Sequence, residues 1–189
     1  MDSTIFDYLS TLTFGKLQAF RNMAILPLFS AMNDGPEYVT LKDALAQKFI
    51  TITEIDQAGH VPELKVVNTS EYFVLLLDGE ELIGAKQNRV LNTSILLKPN
   101  SETILPVSCT EQGRWGYVSK VFSHSDVMMS QLSRFMQTQS VSASLHEGRG
   151  FISDQDRVWD DIIRMHARAG VSSRTGAMRN IYSAKTDEL

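Results

Sequence analysis

The sequence is poor in cysteine and in long apolar runs. Cys109 is the single cysteine among 189 residues, and one thiol cannot form an intramolecular disulfide, which argues against a small disulfide-stabilised secreted scaffold. The apolar run Phe73–Leu77 is far shorter than the roughly 20 residues that cross a bilayer. The opening residues, MDSTIFDYLS, lack the basic segment and apolar core of a signal peptide. We therefore expect a cytoplasmic protein without a membrane partner.

A basic excess and the usual metal and nucleotide motifs are also missing. Lys and Arg number 18 against 22 Asp and Glu, a formal net charge of −4, whereas nucleic-acid-binding domains usually carry a basic excess. The histidines stand at positions 60, 124, 146 and 166, so none has the short spacing of zinc ligands. The chain contains no GxGxxG, P-loop or GxSxG motif. We expect no nucleic-acid partner, no metal and no cofactor.

The remaining composition is typical of a folded domain. Apolar residues make up 43% of the chain and charged residues 21%, which is close to average globular usage and argues against disorder. A length of 189 residues fits one domain on the usual prior of about 100–200 residues. We predict a single domain over 1–189, with a β-rich core at about 18–122 and a helical C-terminal part at about 125–182.

Helical spacing of apolar residues is clearest near the C-terminus. It predicts one helix over 125–138, capped by Ser125, and another over 153–169, ended by Gly170. A shorter helix is predicted after Thr40, since an acidic residue follows at the third position as in a capping box.

Strand signals dominate the rest of the chain. Turn residues recur every 8–14 residues between positions 50 and 120, which favours antiparallel strands over βαβ units. Residues 18–30 predict a strand broken at Pro27. The run Tyr72–Leu77 shows no alternation, as in a central strand covered on both faces. We therefore predict an α+β fold, with an antiparallel sandwich or barrel-like β core and C-terminal helices packed against it.

Two polar segments stand out within the predicted strands. Residues 78–94 read DGEELIGAKQNRVLNTS, and residues 108–117 read SCTEQGRWGY. Each combines an acid, an amide and an arginine, so the two could face one another across adjacent strands. Arginine suits bidentate binding of phosphate, tryptophan offers a stacking face, and a carboxylate can hold a ribose hydroxyl or act as a base. The candidate catalytic residues are Glu81 and Glu111, and the candidate ligand-binding residues are Gln87, Asn88, Arg89, Gln112, Arg114 and Trp115.

Structural interpretations of the same residues stay open. Glu–Arg pairs across strands are common ion pairs within sheets, and Trp115 could fill the core. Cys109 reads first as a small buried side chain, and only a thiolate-stabilising neighbour would make it a nucleophile. In the tail, Arg174 to Ala177 could bind an anion before a short helix, although an ordinary helix cap is the favoured interpretation.

These segments resemble a known family. LDGEELIGAKQNRVLNTSILL (77–97), PVSCTEQGRW (106–115) and, in the tail, Gln155–Trp159 with TGAMRNIY (175–182) are similar to the ADP-ribosylglycohydrolase- and rhodanese-phosphatase-associated domain family. The resemblance covers roughly 60–182. It implies, by association of that family with enzymes that process ADP-ribose derivatives, a role near NAD or ADP-ribose metabolism, and it implies no catalytic residue.

Three hypotheses follow. The leading one is binding of a nucleotide-type anion, ADP-ribose or an NAD derivative, with Arg89 and Arg114 on the phosphates and Trp115 on a ring. The second is a hydrolase acting on an ADP-ribose-like substrate, with Glu81 or Glu111 as general base, so whether the chain is an enzyme stays open. The third is a protein-interaction module or homo-oligomer.

Overall fold

The alternating pattern beyond residue 50 forms an antiparallel sheet in a computed structural model, which describes residues 3–31, 35–56 and 61–186. Over these described residues there are thirteen strands and five helices. The chain divides into two compact units, Met1–Glu37 and Tyr38–Leu189. The expectation of a single domain stays a prediction.

The unit Met1–Glu37 contains a helix and two antiparallel strand pairs. Its elements are α1 (Ser3–Ser10), β1 (Thr13–Phe14), β2 (Gln18–Phe20), β3 (Met23–Ile25) and β4 (Leu28–Phe29). β1 pairs with β4, and β2 pairs with β3. The prediction of one strand over 18–30 is therefore wrong. Pro27 does separate two strands, but the two-residue turn Arg21-Asn22, in which Arg21 has a φ of 54°, reverses the chain earlier. Asn22 is a usual residue of such turns.

The unit Tyr38–Leu189 holds the other elements. They are β5 (Tyr38–Thr40), α2 (Leu41–Ala46), β6 (Ile50–Glu54), β7 (Glu63–Asn68), β8 (Phe73–Leu76), β9 (Glu80–Gly84), β10 (Arg89–Leu91), β11 (Ile95–Leu97), β12 (Ser101–Cys109), β13 (Phe122–Met128), α3 (Gln131–His146), α4 (Gln155–Ala169) and α5 (Arg179–Ala184).

A curled, half-barrel antiparallel sheet forms the centre of this unit. Its strand order is β13-β9-β10-β12-β7-β6. A smaller sheet has the order β11-β8-β5, in which β5 and β8 run parallel. Three helices follow β13, in agreement with the predicted α+β class and C-terminal helices. No helix in the described part of the chain is both long and apolar enough to cross a membrane.

The alternation of apolar side chains builds the main core. β6 buries Ile52, β7 buries Leu64 and β9 buries Leu82, each with no exposed surface, and α2 adds Leu41. Full burial of one such side chain contributes about 1.5–3 kcal/mol. The strand Phe73–Leu76 is central in its sheet, but its residues alternate between half-buried and buried. The prediction that both faces are covered is thus wrong, because an apolar run does not distinguish a half-covered strand from a fully covered one.

Helix boundaries follow caps that the sequence only partly reveals. The Thr40 hydroxyl accepts from the Asp43 amide at 3.3 Å, as expected, and Gly170 ends α4 with a φ of 64°. The prediction of a helix from Ser125 is wrong, since β13 occupies Phe122–Met128 and α3 begins after Ser130. Pairing of β13 with β9 makes this segment a strand, although the spacing of its apolar residues fits both the helical and the strand period.

Candidate functional site

Strand pairing brings the two predicted polar segments together. β9, β10 and β12 are neighbours, with Arg89 opposite Cys109 and Val90 opposite both Ser108 and Glu81. The chain that continues beyond these strands, at residues 85–88 and 110–117, therefore emerges at one end of the sheet. This position depends on register, which the alternation of each strand sets.

Arg114 is the hub of that end of the sheet. Its Nε donates to the Glu111 carboxylate at 2.8 Å, and Nη2 lies 2.6 Å from the same carboxylate in an ion pair. Nη1 donates to the carbonyl of Ala85 at 2.8 Å, and Nη2 also donates to Asn88 Oδ1 at 2.9 Å. Further bonds reach the carbonyls of residues 84 and 116. All three guanidinium nitrogens are thus engaged with protein acceptors, so Arg114 fastens two loops and has little capacity left for a ligand.

Glu111 links the same end of the sheet to the C-terminal tail. Its Oε1 accepts from the Thr175 hydroxyl at 2.7 Å, and its backbone forms a bridge with Ala177. Burial would raise the pKa of Glu111, but the hydrogen bonds from Arg114 and Thr175 outweigh it and hold the pKa below its ordinary value. Glu111 is therefore ionised at neutral pH.

A groove opens beside this pair, and we call it the arginine groove. Its volume is about 880 Å³, within the range of small-molecule sites. Most of its lining is polar: Asn88, Glu111, Arg114, Ser119, Ser123, Ser172, Ser173, Arg174, Thr175, Arg179, Asn180 and Ser183. The groove is formed by the two polar segments predicted from the sequence and by the C-terminal tail after α4, which the sequence pattern did not connect with them.

The tail contributes two further arginines. Arg174 is exposed and Arg179 half-buried, and within the described residues neither takes part in an ion pair. The loop is held by His166 of α4, whose ring nitrogens lie 3.2 Å from the carbonyl oxygen of Val171 and 3.1 Å from that of Ala177. Arg174 is thus presented to the groove by a loop held at Val171 and Ala177, and Arg179 is the first residue of α5.

The favoured sequence interpretation of this tail, an ordinary cap, is wrong. α5 begins after Met178 without a capping side-chain hydrogen bond, and the Thr175 hydroxyl donates to Glu111 instead. The tail carries three arginines, Arg168, Arg174 and Arg179, which were the available signal, but only the fold shows that Arg174 and Arg179 line a groove with Glu111.

Glu81 lies beneath the groove and does not line it. The side chain has no exposed surface, and its Oε1 accepts from the Thr110 hydroxyl at 2.8 Å. Burial raises the pKa of Glu81 to about 7, although the hydrogen bond from Thr110, the nearby Ser125 hydroxyl and the charge of Arg179 oppose the rise. Protonated and ionised forms of this carboxyl therefore coexist near neutral pH.

Arg89 is an interior charge. It is fully buried, and its Nη1 donates to Gln87 Oε1 at 2.8 Å and to Cys109 Sγ at 3.0 Å. Gln87 in turn donates to the carbonyl of Glu111 at 2.9 Å. Burial raises the pKa of the Cys109 thiol despite the charge of Arg89, which agrees with a core thiol and not with a nucleophile.

Trp115 and Gln112 lie at the surface outside the arginine groove. Half of the Trp115 side chain is exposed, and the Lys86 ammonium lies 5.1 Å from its ring centroid. The predicted residues therefore separate into three places. Asn88, Glu111 and Arg114 line the groove, Glu81, Gln87 and Arg89 lie buried, and Gln112 and Trp115 are exposed elsewhere.

The family model of the ARG and Rhodanese-Phosphatase-superfamily-associated Protein domain matches residues 11–189. The chain belongs to this family. The match extends the resemblance of the polar motifs to almost the whole sequence. No curated protein and no solved structure matches the chain.

The described part of the chain contains no preformed set of metal ligands. Among residues 3–31, 35–56 and 61–186, no group of three or more His, Cys, Asp or Glu side chains is arranged to hold an ion. The groove's chemistry is therefore that of its arginines, hydroxyls and amides, with one ionised carboxylate.

Proposed function

We propose that the arginine groove binds a small phosphate-bearing ligand of the nucleotide type, such as ADP-ribose or an NAD derivative. The observation that carries this proposal is the pair Arg174 and Arg179. Both line the groove, and neither forms an ion pair within the described part of the chain, although the charge of Arg179 acts on the buried Glu81. A guanidinium presents N–H groups in a fork that matches two phosphate oxygens.

The charge around the groove favours an anion. Three arginines and one glutamate line it, which gives a formal charge of +2 from three positive groups and one negative group. Glu111 would repel a phosphate, but Arg114 is 2.6 Å from its carboxylate and neutralises it. A cleft lined by one sign of charge concentrates the field acting on a small ligand.

The hydroxyl and amide groups of the groove suit the rest of such a ligand. Serines on both walls and Asn180 offer donors and acceptors for sugar hydroxyls. The family's name associates it with ARG and rhodanese-phosphatase proteins, and this association supports a ligand related to ADP-ribose. The cytoplasmic location expected from the sequence stays a prediction.

Calorimetric titration with ADP-ribose and with NAD tests the proposal. We expect binding by the native chain and a loss of affinity of about tenfold or more in Arg174→Gln, because one charge-assisted phosphate contact is removed. Arg164→Gln is the matched control, since Arg164 is exposed on α4 and does not line the groove. If neither ligand binds at millimolar concentration, or if both variants behave alike, the proposal fails.

A hydrolase is the second candidate, favoured by the Glu111 carboxylate in the groove wall. Both Glu111 oxygens already accept hydrogen bonds, and its lowered pKa makes it a weak base. Binding is therefore the better-supported function. Turnover of ADP-ribose conjugates by the purified chain, abolished in Glu111→Gln with affinity retained, would instead support the enzyme.

A further inference from the structure

A second groove adjoins the arginine groove, and we call it the Glu54 groove. Val118 and Ser119 line both grooves. The Glu54 groove has a volume of about 850 Å³ and is also lined by Glu54, Tyr117 and Lys120. A ligand long enough to pass residues 118–119 could therefore occupy both.

Glu54 is an unusual residue to find in a groove wall. Its side chain is only 3% exposed, so the carboxylate lies at the deep end of the groove. Oε1 accepts from the Lys86 amide at 3.4 Å and lies 3.9 Å from Arg89 Nη2. Oε2 has no hydrogen-bond partner within the described residues, whereas buried polar atoms are nearly always paired.

Arg89, beside Glu54, also has hydrogen-bond donors without acceptors in the described part of the chain. Its Nε and Nη2 are buried and have no acceptor at hydrogen-bond distance among the residues described, and the 3.9 Å approach to Glu54 is an ion pair without a hydrogen bond. The positive charge of Arg89 thus offsets the charge of Glu54. Glu54 keeps an acceptor oxygen that a ligand hydroxyl could use.

Tyr117 supplies a flat apolar surface at the same groove. Its side chain is 51% exposed. The Lys86 ammonium lies 5.2 Å from the centroid of its ring and 5.1 Å from that of Trp115, so cation–π contacts hold the ring in place. An exposed aromatic ring with a fixed orientation suits stacking by a nucleic-acid base.

We propose that the Glu54 groove binds the nucleoside end of the ligand, with Glu54 accepting from the ribose hydroxyls and Tyr117 stacking on the base. This inference rests on the proposed function, since the phosphates would lie past Val118 and Ser119 in the arginine groove. A carboxylate is the acceptor that holds a ribose diol in many nucleotide sites. The assignment of the nucleoside to one groove and of the phosphates to the other is testable, because a nucleoside has no phosphate.

Adenosine is the probe, and calorimetry on the full chain is the measurement. We expect adenosine to bind the native chain and to lose about tenfold in affinity in Glu54→Gln and in Tyr117→Ala, since each removes one contact of ordinary strength. The matched controls are Glu102→Gln, an exposed acid on β12, and Tyr38→Ala, an exposed tyrosine on β5. Both should bind adenosine like the native chain.

Arg174→Gln separates this inference from the proposed function. It should leave adenosine affinity unchanged while weakening ADP-ribose. If it weakens neither ligand, the phosphate site is wrong, and the adenosine results still decide the nucleoside site. Absence of adenosine binding at millimolar concentration, or equal binding by Tyr117→Ala and the native chain, overturns the inference. Tyr117→Ala decides the matter if Glu54→Gln does not fold, because Tyr117 is half-exposed.

Discussion

Glu81→Gln should change how the stability of the protein depends on pH. Burial raises the pKa of Glu81 from its ordinary value of 4.5 to about 7. Below pH 4.5 the carboxyl is protonated in the folded and unfolded states alike, so it contributes nothing to the pH dependence. Between pH 4.5 and 7 the unfolded state loses the proton first, so the free energy of unfolding falls as pH rises, and above pH 7 the whole cost is present.

The size of the effect follows from the same difference. One pKa unit corresponds to about 1.36 kcal/mol, so the rise to about 7 costs the folded state about 3 kcal/mol at pH 8. The glutamine side chain of the variant cannot ionise, and any cost of burying its amide is the same at every pH. Part of this cost is already present at pH 5, so we expect the difference in unfolding free energy between the variant and the native chain to shift by about 2.5 kcal/mol in the variant's favour from pH 5 to pH 8.

Urea denaturation between pH 5 and 8, followed by tryptophan fluorescence, measures this difference. The subtraction is needed because His124 titrates in the same direction. The Glu80 carboxylate, 3.5 Å from His124 Nε2, raises the His124 pKa above 6.5, so its stabilisation is lost as pH rises through the folded value. His124 is present in both proteins and cancels. Parallel pH profiles for the two proteins would refute the assignment of Glu81 as a neutral buried acid.

Two further predictions concern the groove wall. Arg114→Lys should lower the unfolding free energy by about 3 kcal/mol, because an ammonium cannot reproduce the fork that binds Glu111 and the loop carbonyls. The control is Arg149→Lys, which alters an exposed ion pair and should lower the unfolding free energy by under about 1 kcal/mol. Urea denaturation that gives equal losses for the two variants would contradict this prediction. The ionised Glu111 carboxylate contributes a stabilisation that is present above pH 4.5 and lost as pH falls through the lowered pKa. Glu111→Gln should remove this stabilisation. Unfolding free energies measured at decreasing pH should therefore show the loss below pH 4.5 in the native chain and not in the variant.

The fold class was predictable because each strand carries its own signal. Alternation at Ile50–Glu54 and turn residues at regular spacing predicted antiparallel strands, and the Thr40 cap predicted α2. Boundaries were less predictable where two structures suit one pattern. The segment Phe122–Met128 became a strand because β9 offers it a pairing edge, and pairing between distant segments is not written in local periodicity.

The site was predictable in part for a similar reason. Asn88, Glu111 and Arg114 could be selected because acids, amides and arginines cluster in two segments of adjacent strands. Composition could not tell which arginine would be left without a partner. All three guanidinium nitrogens of Arg114 are engaged by protein acceptors, and Arg89 is buried in the interior. Arg174, by contrast, lies in the tail beyond α4 and lines the groove.

This contrast between the polar segments and the tail explains why the polar segments, although they are the most distinctive motif of the sequence, need not supply the contacts to a ligand. A loop that presents cations to a ligand must itself be held, and Gly113 donates to the Thr175 carbonyl at 2.8 Å while Met178 donates to the Thr110 carbonyl at 2.9 Å. A Cβ atom added at Gly113 would lie 3.0 Å from the Thr175 backbone, so the close approach depends on glycine. The polar motif thus acts as the frame on which the tail arginines are placed. In the proposed function, specificity for phosphate would reside in the tail and not in the polar motif.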